Sequence, residues 1–207
     1  MKFFRKISAL LLLVFVALSA VSCGAPKLVL ENGKIFDTKT DIYYTFAPNT
    51  YEAMAIANAI YAVWEQNGVE VAYHAIEGLS TNEYLVDEYG YVICAEDKEL
   101  PDLDGFEPTG ALVCTNTEVA VSIGEIKEKS KLRALADLYM NGENVTFENT
   151  AVDTLSIKFT SDKYPHLYFN LSVMIEEDDS VYLWNRDSGR YVNVGDLLDQ
   201  YIEVYLY

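Results

Sequence analysis

The sequence predicts a β-rich α+β domain, mostly antiparallel sheet, with one or two helices and a C-terminal β-meander. Two observations support this prediction. Short runs of alternating apolar and polar residues recur along the chain, and turn-forming sequences such as Asn32-Gly33 separate them. Apolar residues at helical spacing are confined to two longer stretches, residues 50–66 and residues 131–140.

The first part of the chain is predicted to form strands and hairpins. Asn32-Gly33 is a strong signal for a two-residue hairpin turn, because the central positions of such turns need positive φ. It joins the strand-like runs Lys27–Glu31 and Lys34–Asp37. Later strand-like runs are Ile42–Phe46, Val69–Ile76 and Tyr84–Glu96, the last with Gly90 at its bend.

Residues 50–66 fit a helix and a strand almost equally well. The helical interpretation has an apolar face, an N-cap at Asn49 and a stop at Asn67-Gly68. The strand interpretation also gives an apolar face, with only Asn58 out of place. The alanine content favours the helix, so helix is the preferred interpretation and strand is the alternative.

The middle of the chain is predicted to be a loop, a hairpin and a helix. Prolines, glycines and acids mark residues 98–110 as the loop. Ala111–Thr115 and Glu118–Ile123 then form the hairpin. The helix covers Lys131–Met140 and stops at Asn141-Gly142. Its apolar face consists of Leu132, Leu135, Ala136 and Tyr139.

The C-terminal part has the cleanest alternation. It predicts an antiparallel meander with one buried face, followed by a short closing helix at residues 197–202. The turn Arg186-Asp187-Ser188-Gly189 separates the last two strands, Val181–Trp184 and Arg190–Val194. The apolar residues at alternate positions are Leu155, Ile157, Phe159, Leu167, Phe169, Leu171, Val173 and Ile175.

The first 22 residues predict a secretory leader. Lys2, Arg5 and Lys6 precede an apolar run that is too short to span a bilayer comfortably. The end of the leader, Ala20-Val21-Ser22-Cys23, resembles the lipobox of bacterial lipoproteins, although that family prefers Leu where Ala20 stands. The resemblance implies a signal peptide over residues 1–22, cleavage before Cys23 and a diacylglycerol on its sulfur.

This resemblance also implies the organisation and location of the mature protein. Residues 23–27 would be a lipidated tether and residues 28–207 a single β-rich domain, with a possible sub-boundary near Asn149. The lipid on Cys23 would hold the protein on the extracytoplasmic face of a bacterial membrane or envelope. Two acyl chains are enough for stable anchoring, so no second anchor is needed.

Charge limits the classes of partner. The formal net charge is −17, and the leader contributes only basic residues, so the mature chain is still more acidic. We do not expect the protein to bind nucleic acid, because such binding needs a basic surface. Electrostatic docking to anionic lipid is disfavoured for the same reason. The acidity is typical of a soluble exported protein, and the alternative interpretation is binding of a cation or a cationic ligand.

Two cysteines remain after Cys23, and both lie in apolar, strand-like runs. Cys94 and Cys114 form an even pair in a compartment that permits disulfides. The alternatives are a disulfide between neighbouring strands and two buried thiols that act as small hydrophobic side chains. No basic residue adjoins either cysteine, so neither is expected to be catalytic.

The sequence names no catalytic or metal-binding residue. Its two histidines, His74 and His166, exclude a histidine-rich zinc site. The segment Asp102-Leu103-Asp104-Gly105 is similar to the opening of a calcium loop but lacks the remaining ligands of an EF-hand. The four acids at 176–179 are expected to form a solvated turn. No metal or cofactor is therefore predicted.

Two functions remain open. Tyrosines and Trp184 are dense around the meander, where amphipathic aromatic rings suit a binding surface for protein or glycan and also suit a core. The preferred hypothesis is a non-catalytic binding or interaction module. The alternative is a carboxylate-dependent hydrolase of glycan or cell-wall polymer, which needs two acids across a cleft.

Overall fold

The computed structural model describes residues 27–54, 59–66, 68–116, 120–146 and 151–203. It is β-rich, with 46% strand and 13% helix, as predicted. In chain order the elements are β1 (Lys27–Glu31), β2 (Lys34–Asp37), β3 (Ile42–Phe46), β4 (Tyr51–Ala53), β5 (Ile60–Gln66), β6 (Val69–His74), β7 (Tyr84–Asp87), β8 (Val92–Ala95), α1 (Leu103–Phe106), β9 (Gly110–Thr115), β10 (Ser122–Ile126), α2 (Lys129–Asn141), β11 (Asp153–Thr160), β12 (Leu167–Ile175), β13 (Val181–Asn185), β14 (Arg190–Asn193) and α3 (Asp199–Ile202).

Seven strands close into a barrel in the order β1-β2-β3-β8-β7-β6-β5. All neighbours are antiparallel except β1 and β5, whose parallel pairing closes the barrel. Small barrels of this kind are filled by inward-facing side chains rather than hollow. The buried side chains inside are Leu28, Ile35, Tyr44, Ala62, Tyr73, Leu85, Ile93 and Ala95.

Strand direction fixes which end of the barrel carries each turn. β1 leaves the Lys27 end, β2 returns to it, β3 leaves it again and β8 returns. The turn between β7 and β8 therefore lies at the end opposite Lys27. The β2–β3 turn lies at the Lys27 end, where the Thr38 hydroxyl donates a hydrogen bond to the Lys27 carbonyl (3.0 Å).

The second layer is a sheet in the order β10-β9-β11-β12-β13-β14, and β4 pairs with the start of β12. Alternation along β12 is complete: each odd-numbered residue from Leu167 to Ile175 is buried, and each even-numbered one is half-buried. The predicted C-terminal meander is therefore confirmed. The buried face of α2 consists of Leu132, Leu135, Ala136 and Tyr139, as predicted.

Strands β7 and β8 belong to both cores. Their side chains alternate between the barrel interior, where Leu85 and Ile93 lie, and the main core, where Val86 and Val92 lie. This explains why all four residues of each strand are buried. The outer surface of the barrel thus packs on the second sheet, and this contact positions the β7–β8 turn beside that sheet.

The structure corrects the preferred interpretation of residues 50–66. Tyr51–Ala53 forms β4 and Ile60–Gln66 forms β5. The predicted helix is therefore wrong for the part of this stretch that the structure describes. Residues 55–58 lie outside the described residues. β5 is extended because it pairs with β1 on one side and β6 on the other. These partners override the helix propensity of the alanines.

Two smaller differences concern the middle of the chain. The predicted loop at 98–110 contains the short helix α1, and the second strand of the next hairpin begins at Ser122 rather than Glu118, which lies outside the described residues. β11 pairs with β9 along Gly110–Thr115, and residue 149 lies outside the described residues. No described helix has the length and apolarity to cross a membrane. The leader and Cys23 lie outside the described residues.

Candidate functional site

A cleft of about 350 Å³ lies over the outer face of the second sheet. The alternation of inward and outward side chains along the meander determines which residues form the floor of the cleft. Because Leu171 and Leu183 point into the core, Asn170, Ser172 and Trp184 point outward into the cleft. The floor is therefore made of amide, hydroxyl and indole groups, and the fully apolar buried face of β12 holds the register of that strand.

Three segments from other parts of the chain form the walls of the cleft. β4 supplies Glu52, the β7–β8 turn supplies Tyr89 and Tyr91, and the β13–β14 turn supplies Arg186. Glu52 and Tyr91 form a backbone bridge, which joins the first two walls. The cleft thus lies where the barrel, the crossing strand β4 and the meander meet.

Glu52 is held by two donors on the floor. The Lys158 ammonium forms an ion pair with Oε2, and the Asn170 amide nitrogen donates to Oε1 (2.5 Å). The Asn170 Oδ1 atom is buried and accepts no hydrogen bond from the described residues, so the floor keeps one unused acceptor. Glu52 is the single carboxylate among the described residues that line the cleft, and its charge is compensated.

Aromatic rings give the cleft its apolar surfaces. Trp184 stacks on Tyr191, its cross-strand partner, with 5.6 Å between the ring centroids and 15° between the ring planes. This stacking fixes the indole on the sheet. On the facing wall, Tyr89 is 75% exposed and Tyr91 is 56% exposed. Exposed rings opposite a fixed indole suit a flat ligand with apolar faces.

Asp87 holds the turn that carries the two tyrosines. Its Oδ1 atom accepts hydrogen bonds from the backbone N–H groups of Tyr89 (2.9 Å) and Tyr91 (2.8 Å). Burial raises the pKa of Asp87, although these N–H groups stabilise the charge and oppose the rise. Gly90 has φ 94°, which side chains rarely adopt. The turn is therefore preformed.

The cysteines lie in different layers. Cys94 is on β8, with its sulfur 3.8 Å from the Thr45 hydroxyl, and Cys114 is on β9. Both are free and buried. Burial raises the pKa of both thiols, so neither has the character of a nucleophile.

The remaining candidates from the sequence have structural partners. Asp102 caps α1, where its Oδ1 atom accepts a hydrogen bond from the Gly105 N–H (2.8 Å). Asp178 accepts one from the Ser180 N–H (3.1 Å) within its turn. No cluster of His, Cys, Asp and Glu in the described residues could hold a metal ion. The tyrosines predicted to surround the meander include Tyr205 and Tyr207, which lie outside the described residues.

Sequence reasoning identified Trp184 but missed the rest of the cleft. The polar outward positions of β12 were visible in its alternation. Glu52, Tyr89 and Arg186 had no local signal, because they come from three separate segments that only the fold brings together. No family model, curated protein or solved structure matches this chain. What the protein does is therefore inferred from the geometry and chemistry of the cleft.

Proposed function

We propose that this protein is a lipid-anchored binding module of the bacterial cell envelope that binds a saccharide in the cleft without catalysis. The observation that carries the proposal is the composition of the cleft. The floor carries the Trp184 indole beside amide and hydroxyl groups, and Tyr89 and Tyr91 line a wall of the cleft. Ligand sites of this kind combine apolar rings with a few placed polar groups.

Sugars match both kinds of surface. A pyranose ring has an apolar face of C–H groups and a rim of hydroxyls. The face packs on an indole, and the rim exchanges hydrogen bonds with amide and hydroxyl side chains. Asn170 and Ser172 are two residues apart on one strand face, so they present such groups along the length of the cleft.

The hydrolase alternative has less support. Glycosidases place two carboxyl groups across the scissile bond, about 5–10 Å apart. The described lining of the cleft has one carboxylate, Glu52, and Lys158 and Asn170 already hold it. The described lining of the cleft therefore lacks the second carboxyl group that this mechanism needs.

The anchor and the cleft are compatible with this role. Cys23 is four residues before Lys27, so the lipid would lie within about 14 Å of the start of β1. The β7–β8 turn, a wall of the cleft, lies at the opposite end of the barrel. The barrel would then lie between the membrane and the cleft, and the cleft would face the cell wall. Metabolic labelling with a fatty acid tests the anchor, and Cys23→Ala should abolish the label.

Co-sedimentation with protein-free cell-wall polysaccharide tests the binding proposal. The detergent-extracted protein should pellet with the polysaccharide, and Trp184→Ala should stay in the supernatant. Tyr43→Ala is the control, because Tyr43 lies on β3, far from the lining of the cleft. Release of reducing ends that Glu52→Gln abolishes would favour the hydrolase. Wild-type protein that stays in the supernatant would contradict saccharide binding.

A further inference from the structure

We infer that the saccharide bound in the cleft is acidic, and that Arg186 pairs with its carboxylate. This inference rests on the proposed function, because it names the class of sugar that the same cleft takes. Arg186 lies at the start of the β13–β14 turn and lines the cleft. Its side chain is exposed, and within the described part of the chain no partner engages its guanidinium.

Arg190, four residues later in the same hairpin, is different. Its Nε atom donates to the Tyr139 carbonyl (2.7 Å) and its Nη2 atom donates to the Gly142 carbonyl (2.6 Å). These bonds tie the hairpin to the end of α2, so Arg190 has a structural role. Arg186 has no corresponding bonds to any described residue, so this part of the fold leaves its guanidinium available to a ligand.

The acid next to Arg186 in sequence and the acid that lines the same cleft are both already engaged. Asp187, the next residue, accepts hydrogen bonds from Asn49 through Oδ1 and from Thr50 through Oδ2. Glu52, on the wall formed by β4, is held by Lys158 and Asn170. Neither of these acids therefore pairs with Arg186, in a chain whose net charge is −17.

The position of Arg186 relative to Trp184 fits one acidic sugar unit. Trp184 lies near the end of β13, Arg186 follows two residues later at the start of the turn, and both side chains line the cleft. A sugar ring packed on the indole would bring an exocyclic carboxylate within reach of the long arginine side chain. The guanidinium fork matches a carboxylate through two parallel hydrogen bonds.

A carboxylate is favoured over a phosphate by charge. One uronate unit places a single negative charge beside Arg186, whereas one sugar phosphate unit places nearly two there at neutral pH. The single arginine can compensate the first but not the second.

Isothermal titration of the full-length protein in detergent tests this inference. The ligands are trimers of galacturonate and of mannuronate, the neutral trimers of galactose and of mannose, and glucose 6-phosphate. At least one uronate trimer should bind at least about tenfold more tightly than its neutral counterpart. Arg186→Gln should remove this difference between the uronate trimer and its neutral counterpart. Arg133→Gln, an exposed arginine on α2, is the matched control and should keep the difference.

The outcomes separate the inference from the proposed function. Equal affinity for uronate and neutral trimers overturns the role of Arg186 while saccharide binding stands. Tighter binding of glucose 6-phosphate than of either uronate overturns the assignment of a carboxylate. No binding of any sugar overturns the inference together with the proposed function. If the preference for uronate persists in Arg186→Gln, another residue binds the carboxylate of the sugar, and the inference is overturned as well.

Discussion

Oδ2 of Asp187 accepts two hydrogen bonds from Thr50, one from its backbone N–H (2.8 Å) and one from its hydroxyl (2.6 Å). Oδ1 of the same carboxylate accepts one from the Asn49 amide (2.9 Å). These bonds join the segment before β4 to the β13–β14 turn, 137 residues away. They hold two walls of the cleft together, the one with Glu52 and the one with Arg186.

The first prediction concerns this carboxylate. Burial raises the pKa of Asp187, but the donors on Thr50 and Asn49 outweigh burial, and the pKa lies below its ordinary value. The Asp187 carboxylate therefore contributes stability that is complete above its unfolded pKa of about 3.9 and is lost as pH falls through the lower folded pKa. Asp187→Asn should cost about 1 kcal/mol at pH 7.

Urea denaturation of wild type and Asp187→Asn at several pH values measures this contribution. The difference in unfolding free energy should be constant from neutral pH down to about pH 5 and should shrink below about pH 4. Asp196→Asn, an exposed residue in the loop after β14, should show no such difference. A difference in unfolding free energy between wild type and Asp187→Asn that stays the same in acid would contradict a stabilising role for the negative charge of Asp187.

The second prediction concerns the register of β12. Leu171 is 1% exposed in the main core, and Ser172 faces the cleft. Leu171→Ala should cost about 2–5 kcal/mol of unfolding free energy, from lost transfer energy and the cavity left behind. Ser172→Ala should cost less than about 0.5 kcal/mol. Chemical denaturation compares the two, and equal small losses would mean that β12 is not a core strand.

The meander and α2 could be predicted because their signals are local. Alternation from Leu167 to Ile175 and the apolar face of Lys131–Met140 each specify one structure without knowledge of the rest of the chain. The barrel could not be predicted in this way. Its closure depends on the pairing of Lys27 with Val63 and of Leu28 with Trp64, which no nearby residue indicates.

The candidate site was predictable only in part, for the same reason. The outward polar residues of β12 and the aromatic density around Trp184 follow from sequence. Residues 50–66 carry both periodicities, so β4 and its residue Glu52 were assigned to a helix rather than to a wall of a cleft. The β7–β8 turn reaches the cleft only because β7 and β8 pack on the second sheet.

The third prediction concerns the thiols. Cys94 and Cys114 are free and buried, so neither should react with a thiol reagent in the native protein. Both should react in denaturant without reductant, giving two thiols per chain, because lipidation would block Cys23. Fewer than two thiols in denaturant would indicate the disulfide instead. Cys114→Ala should lower the count to one, which verifies the assay.

The fourth prediction concerns orientation on the membrane. Lys39 lies in the β2–β3 turn at the Lys27 end of the barrel, and Glu88 lies in the β7–β8 turn at the other end. Fluorophores attached to Lys39→Cys and Glu88→Cys should differ in quenching by nitroxide-labelled lipid headgroups. Quenching should be strong at position 39 and weak at position 88, because it falls steeply with distance. The reverse order would place the cleft against the membrane.

The central claim is that a saccharide binds against Trp184, and fluorescence of this residue tests it most directly. The chain has two tryptophans, so Trp64→Phe leaves Trp184 as the single reporter. Trp184→Phe leaves Trp64, which packs near Phe46 on the barrel with 6.2 Å between the ring centroids, as the matched control. Titration with uronate trimers should change the emission of Trp184 saturably and leave that of Trp64 unchanged. Emission of Trp184 that stays constant up to about 10 mM of every uronate and neutral trimer would contradict the account.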